Sequence, residues 1–366
     1  MKNAMSRKAV RWGSTAAVAG LLSTAALSWM PSVSATPVFS NTQRIIGPRL
    51  LIQRGENIRL RIKELIEGKL NPDDARRGVG QFSGLGTVIS PVAAEAESSA
   101  SWGVWADGNY VYIEGDEPGK EFSGPQISVG AGIDVTLNER IVIGVSFNYD
   151  TSDTDNNFGG VIFGAPGRLE THSYGVGPYM AISLSDNLAF DASFTYSWGN
   201  SDITDQFSFG EFDSQSWNVS TNLTGYFPLS DNLTLSPTIG LSYSYNRDDA
   251  YSDNLLNFLP EQSVYTGVFN FGATLSYAIQ LDDVRYIEPS ITVEGSWEFD
   301  IFGRPPLDTG LVTSNVNDPA VHATITGALD IALSEAVSVS LSGGISGLGR
   351  ANYVEYSGGG LVSVFF

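Results

Sequence analysis

From Trp102 to the C-terminus, hydrophobic and polar positions alternate with a period of two. Ile127, Val129, Ala131, Ile133, Val135 and Leu137 are separated by Ser128, Gly130, Gly132, Asp134 and Thr136. After Asn138-Glu139, a second set runs Ile141, Ile143, Val145, Phe147 and Tyr149 against Gly144, Ser146, Asn148 and Asp150. A period of two is the mark of a strand with one apolar and one polar face, so these two sets predict a hairpin. The same rhythm covers 104–112, 174–184, 188–198, 217–227, 233–245, 265–279, 287–299, 321–333, 337–345 and 354–366, which brings the number of predicted strands to twelve.

The connectors alternate as well. Short ones (185–187, 228–232, 280–283, 334–336) take turns with long acidic ones, the longest being 151–168, 246–263 and 300–318. An even number of strands with short turns at one end and long loops at the other is the layout of an outer-membrane barrel. A soluble sandwich also alternates, but it meets its apolar faces in a dry core, whereas a membrane barrel turns them to lipid and lines its lumen with small polar residues. Three features favour the barrel: strands of ten or more residues, 40 glycines in 366 residues against a usual ~7%, and aromatics near strand ends. Tyr149, Trp198, Trp217, Tyr245 and Trp297 fall toward the long-loop end and Phe227 and Phe366 toward the other, as interfacial girdles require. The predicted fold is therefore all-β, a 12-stranded antiparallel transmembrane β-barrel. Its last strand, "GGGLVSVFF", sets Val362 and Val364 toward hydrocarbon, Leu361 toward the lumen and Phe366 at the interface.

The residues ahead of the barrel read differently. Lys2, Arg7, Lys8 and Arg11, an apolar stretch from Ala16 to Met30 and the small residues Val33-Ser34-Ala35 predict a cleaved signal peptide over 1–35. Residues 36–47 form a short segment. Within 48–70, Ile58, Ile62, Leu65 and Ile66 share one helical face while Arg59, Arg61, Lys63 and Lys69 supply cations around it, and Asn71-Pro72 stops the helix. Such a helix measures roughly 33 Å, close to the ~30 Å of a bilayer core. Residues 71–100 read as a linker rich in Gly, Ala and Ser, and 101–366 as the barrel.

Charge adds a polarity to this layout. The formal net charge is -20, and removing four cations with the signal peptide leaves the rest near -24, so nucleic acid is excluded as a partner. Nine of the remaining sixteen cations lie between Thr36 and Arg77, and only seven are spread over 78–366. A short basic segment precedes a long acidic one. There is no cysteine, hence neither disulfides nor thiolate metal sites.

The helix followed by twelve strands, the opening strand "SWGVWADGNYVY", the following "GAGIDVTLNERIVIGVSFNY", the strand "IEPSITVEGSW" and the terminal Phe366 together resemble the translocator domain of the autotransporter family. The resemblance covers about 48–366. It implies a twelve-stranded barrel in the bacterial outer membrane whose pore holds the preceding helix, and which anchors a passenger and helps it reach the cell surface. It also implies partners: outer-membrane lipid, lipopolysaccharide and the barrel-assembly machinery, for which Phe366 would be the signal. With about twelve residues between the cleavage site and the helix, the expectation is a surface anchor or residual translocator without a sizeable passenger. The helix holds no Asn-Asn pair for self-cleavage.

Two alternatives stay open: a porin-like, cation-preferring channel gated by the helix, and an adhesin acting through long acidic loops. Candidate site residues follow from parity. Glu288, Glu294 and Glu298 share the polar face of one strand, and Asp134, Asp191 and Asp330 take the same parity in others. This acidic lumen wall would receive Arg59, Arg61 and Lys63 of the plug helix. Charges 4 Å apart at an effective dielectric near 20 interact by roughly 4 kcal/mol before desolvation. Catalysis is not expected, because a Ser two positions from a His on one strand face is missing: His172 has Glu170 and Tyr174 there, and His322 has Ala320 and Thr324. Both histidines read as polar residues near loop ends. The stretch from Asp150 to Gly160 lacks the Gly and Glu of a calcium loop and reads as a solvated acidic loop. No cofactor or metal is expected.

Overall fold

The computed structural model describes residues 101–365 apart from 117–120, 138–139, 159–164, 206–207, 257, 283–284, 300–320, 335 and 351. The signal peptide, the basic helix with Arg59, Arg61 and Lys63, the linker and Phe366 lie outside the described residues.

Twelve long strands follow one another: β1 (Ser101–Gly115), β2 (Glu121–Leu137), β3 (Ile141–Phe158), β4 (Ala165–Ser185), β5 (Leu188–Asp205), β6 (Phe209–Gly225), β7 (Leu233–Asp248), β8 (Gln262–Tyr277), β9 (Tyr286–Phe299), β10 (Val321–Ser334), β11 (Val337–Leu348) and β12 (Tyr353–Phe365). Each pairs antiparallel with the next, and β1 pairs with β12 from Gly103↔Phe365 to Gly115↔Tyr353, which closes the barrel. Closure leaves no unpaired edge, the condition lipid imposes on a sheet. Among the described residues no helix is long and apolar enough to cross a membrane. The crossing is made by strands.

The two faces of the wall are inverted relative to a soluble protein. On β2, Ile127, Val129 and Ile133 are exposed on the outside while Ser128, Asp134 and Thr136 are buried inside. The same holds on β12, where Val362 is outward and Leu361 and Ser363 are inward. Phe147, Ile239, Phe271 and Val293 extend the apolar outer surface. A contiguous apolar surface of this size marks contact with a membrane. Tyr149, Tyr174 and Trp198 pack side by side across β3, β4 and β5, and Trp217, Tyr245 and Tyr265 continue across β6, β7 and β8, forming a girdle toward the long-loop end. Phe227 is exposed at the other end, in a two-residue piece with Pro228 that pairs back on β7.

The strands run from 12 to 21 residues, whereas about nine to eleven tilted residues suffice to span a bilayer. The excess lies beyond the girdle on β3 to β6. This corrects two sequence expectations: 151–158 and 165–168 are strand rather than acidic loop, paired from Thr151↔His172 to Phe158↔Ala165, and His172 lies well inside β4 rather than near a loop end. Paired hairpins therefore stand above the membrane as a raised wall. There the chemistry of the inner face changes from hydroxyl-bearing to apolar: Leu169, Ile203 and Phe212 form a buried cluster on β4, β5 and β6. Once water replaces lipid outside, the ordinary arrangement with apolar side chains inward is restored.

Candidate functional site: the luminal face and the mouth

The interior wall is built from alternate residues of every strand, and within the membrane these are mostly Ser, Thr, Asn and Gly. Hydroxyl pairs link neighbouring strands: Ser220 with Ser242 at 3.0 Å, Thr224 with Thr238 at 3.1 Å and Thr274 with Thr292 at 2.8 Å. These pairs tie β6 to β7 and β8 to β9 across the inner face, so this part of the lining is hydrogen-bonded and uncharged.

The carboxylates fall into separate groups. On β9 and β10, Glu288 stands directly opposite Asp330, and both are buried. Asp330 accepts from Ser340 of β11. Six residues further along β9, Glu294 faces the interior opposite Thr324. Toward the long-loop end, Glu298 accepts from Arg350 at 3.3 Å and lies 3.8 Å from His322 Nδ1. Four of the six acids singled out in the sequence thus share two adjacent strands of the twelve. Asp191 lies on β5, accepting from Asn222 at 2.7 Å, and Asp134 lies on β2.

Asp134 belongs to a cluster that crosses four strands. Tyr179 Oη donates to Asp134 Oδ2 at 2.8 Å and accepts from Trp105 Nε1 at 2.8 Å. Two glycines make room for these rings. A Cβ on Gly144 would lie 2.2 Å from Tyr179, and one on Gly132 would lie 2.4 Å from Trp105. Two further carboxylates, Asp107 and Asp150, face inward and lie outside the six acids singled out in the sequence. Asp150 accepts from Ser128 at 2.6 Å and from Asn148 at 2.7 Å, while Asp107 lies over Gly130. Both positions have inward parity, Asp150 with Asn148 on β3 and Asp107 with Trp105 on β1, and that alternation is the sequence signal that marks them.

The histidines occupy different surroundings. His172 is outside, stacked on Tyr149 with its Nδ1 at 3.0 Å from the phenol oxygen and its Nε2 at 3.3 Å from Glu170. His322 is inside and opposite Ser296, beside a Glu298 that Arg350 already engages.

At the mouth, the loop from Asp249 to Glu261 turns back onto the inner face of the raised wall. A two-residue hairpin (Tyr251–Ser252 with Phe258–Leu259) forms within it. Tyr251 stacks on Phe212 at a centroid distance of 5.1 Å. At the root of the loop, three residues beyond the girdle residue Tyr245, burial pushes the Asp248 carboxyl up to about 6, against a lowering hydrogen bond from Asn246 and with Asp249 raising it further.

A closed strand cylinder, apolar outside, polar within and ringed by aromatics, is an outer-membrane β-barrel. Residues 104–344 match the Autotransporter beta-domain model, and the chain belongs to that family. Its place is the bacterial outer membrane. The translocator domain of the autotransporter NalP from Neisseria meningitidis is similar in fold, with a TM-score of 0.59 at 16% identity over 83% of this chain and 99% of that one. The transport unit of the autotransporter AIDA-I from Escherichia coli gives 0.61 at 12% identity over 82% and 99%. The beta domain of the Bordetella autotransporter BrkA gives 0.54 at 11% identity over 71% and 98%. No curated protein matches the sequence.

Proposed function

We propose that the barrel is the membrane anchor and translocator for the polypeptide that precedes it, and that its lumen holds the basic segment 48–70. The observation that carries this reading is the uneven luminal charge: Glu288, Glu294, Glu298 and Asp330 gather on the adjacent strands β9 and β10, whereas Asp107, Asp134, Asp150 and Asp191 are spread over β1, β2, β3 and β5 among hydroxyls and amides. Buried carboxylates in register with each other repel, and a cation between them relieves the repulsion. Arg59, Arg61 and Lys63 are the counter-charges this reading assigns. Family membership weighs against a porin-like channel or an adhesin as the primary role. In the same reading Phe366 is the signal read by the barrel-assembly machinery. Its deletion then lowers insertion more than Leu361→Ala, whose side chain lies inside the wall.

The test is planar-bilayer conductance of the chain with and without residues 36–100, after unheated and boiled samples have shown by their different migration that both barrels are folded. The truncated barrel should conduct more and prefer cations, since fixed carboxylates concentrate counter-ions. A folded truncated barrel that conducts no more than the full chain overturns the luminal placement of 48–70.

A further inference from the structure

We propose that the loop from Asp249 to Glu261 is a lid, docked on the inner wall of the extracellular mouth, which lifts as a unit to widen the exit. What passes beneath it is the polypeptide of the translocator reading above, on which this part of the inference rests.

Four features set this loop apart from a connector that merely spans two strand ends. First, it lies on the luminal side: an added Cβ on Gly210, an inward position of β6, would sit 2.5 Å from the Tyr251 ring. Only glycine leaves room there for the ring to lie against the wall. Second, it is clipped to the edge of β6 by two backbone hydrogen bonds and one side chain. Asn254 N–H donates to the Phe209 carbonyl at 3.0 Å, Phe209 N–H donates to Asn254 Oδ1 at 2.8 Å, and Asp249 N–H donates to the Asp213 carbonyl at 2.8 Å. Third, its two ends are tied to one base, because Arg247 reaches Asp249 at 3.2 Å and Glu261 at 2.9 Å. A loop tied at its root and clipped further out can open about that root without disturbing the barrel.

The fourth feature is the chemistry on each side of it. Beneath lies an apolar platform, Leu169, Ile203 and Phe212, against which Tyr251 packs. On top, Leu255, Leu256 and Phe258 are exposed, and Leu256 is 87% accessible with φ at 65°. A bulky residue in the left-handed region is uncommon, and such conformations cluster at switching segments. The contact made by the Tyr251 ring, the buried Leu259 and a few hydrogen bonds is small beside the twelve-strand ladder, so the lid belongs to the part of the molecule that opens first.

The absence of native cysteine makes the test clean. In the full chain, Gly210→Cys with Tyr251→Cys should form a disulfide on mild oxidation in the intact outer membrane, whereas thiols that both stay free overturn the docked position. A single Ile203→Cys on the platform should react with an impermeant maleimide at least tenfold faster when Tyr251→Ala and Asn254→Ala are added; an unchanged rate overturns the lid. With an epitope placed after residue 40, the oxidised double-cysteine chain should display it at least fivefold less than the same chain kept reduced. Equal display by a chain whose heat-shift shows a folded barrel means that the lid need not move and overturns the gating role. An epitope absent from the surface in the parent and in both states overturns the translocator reading instead, and the disulfide and maleimide results still decide the lid.

Discussion

Tyr179 on β4 reaches across β3 to donate to Asp134 on β2, at 2.8 Å. The register makes this possible: Gly144 stands directly between them, paired with Asp134 on one side and with Tyr179 on the other. A side chain on β3 at that level would separate the two. One phenol therefore binds three consecutive strands, and through Trp105 a fourth.

Replacing that link has a defined cost. Tyr179→Phe keeps the ring but removes the hydroxyl from two buried partners, which should lower stability by about 1–3 kcal/mol, read as a lower denaturant midpoint for loss of the heat-shifted band. Gly144→Ala should cost at least as much, since its Cβ falls 2.2 Å from the ring. Gly327→Ala is the control, because Gly327 has nothing within 4 Å on the outer face. Equal midpoints for the two alanine variants would remove the packing argument.

The twelve strands, their inward faces and the short turns were legible because a membrane barrel writes its two solvents into alternate residues. Alternation by residue type breaks where one of those solvents changes. Above the girdle, Asp153, Glu170, Asp202 and Glu211 meet water, while Leu169, Ile203 and Phe212 face inward, so the chemistry exchanges sides although parity continues. A pattern followed by residue type breaks at that level, and 151–158 then looks like a loop. The lid was not legible for another reason. It depends on Gly210 and Tyr251, 41 positions apart, meeting through a turn that has no periodicity.

The raised wall carries a charge conflict on its outer face. Asp153, Glu170, Asp202 and Glu211 stand in consecutive register on β3, β4, β5 and β6. Arg168 pairs with Asp153 and lies 3.7 Å from Glu170, which leaves Asp202 and Glu211 as its uncompensated end among the described ion pairs. Like charges directly opposite destabilise a sheet. Asp202→Asn should raise the protease resistance of the β5–β6 hairpin at low salt, by up to about 1 kcal/mol, and the gain should fade as salt is added. A gain that persists unchanged at high salt would point to something other than charge.

Luminal charge makes a separate claim about the chain without residues 36–100. Glu288→Gln, Glu294→Gln and Glu298→Gln together should reduce the cation preference of that pore, because these carboxylates lie on one strand of the wall and fix the local counter-ion population. Reversal potentials in asymmetric salt measure the preference directly. A preference that survives the triple substitution would shift attention to Asp107 and Asp150 across the lumen.

The root of the lid should respond to pH through Asp248. Its carboxyl is raised to about 6 from 3.8, chiefly by burial and then by Asp249, against a lowering hydrogen bond from Asn246. On the adjoining strands its register partners, Ser214 and Gln262, are uncharged, and the nearby Arg247 is shared by Asp249 and Glu261. A raised carboxyl favours the folded root in its neutral form. The contribution is complete below about 3.8 and is lost as pH rises through about 6, when the buried group must ionise. Hydrogen-exchange protection of the Asp249 and Asn254 amides, corrected for the intrinsic pH dependence of exchange, should therefore be greater at pH 5.5 than at pH 7.5. Asp248→Asn should hold both amides at the high-protection level across that interval, since it keeps a neutral hydrogen-bonding group at the site. Protection that falls with pH as steeply in the Asn variant as in the parent would assign the effect to Arg247 and its partners, and Glu261→Gln would then be the variant that flattens it.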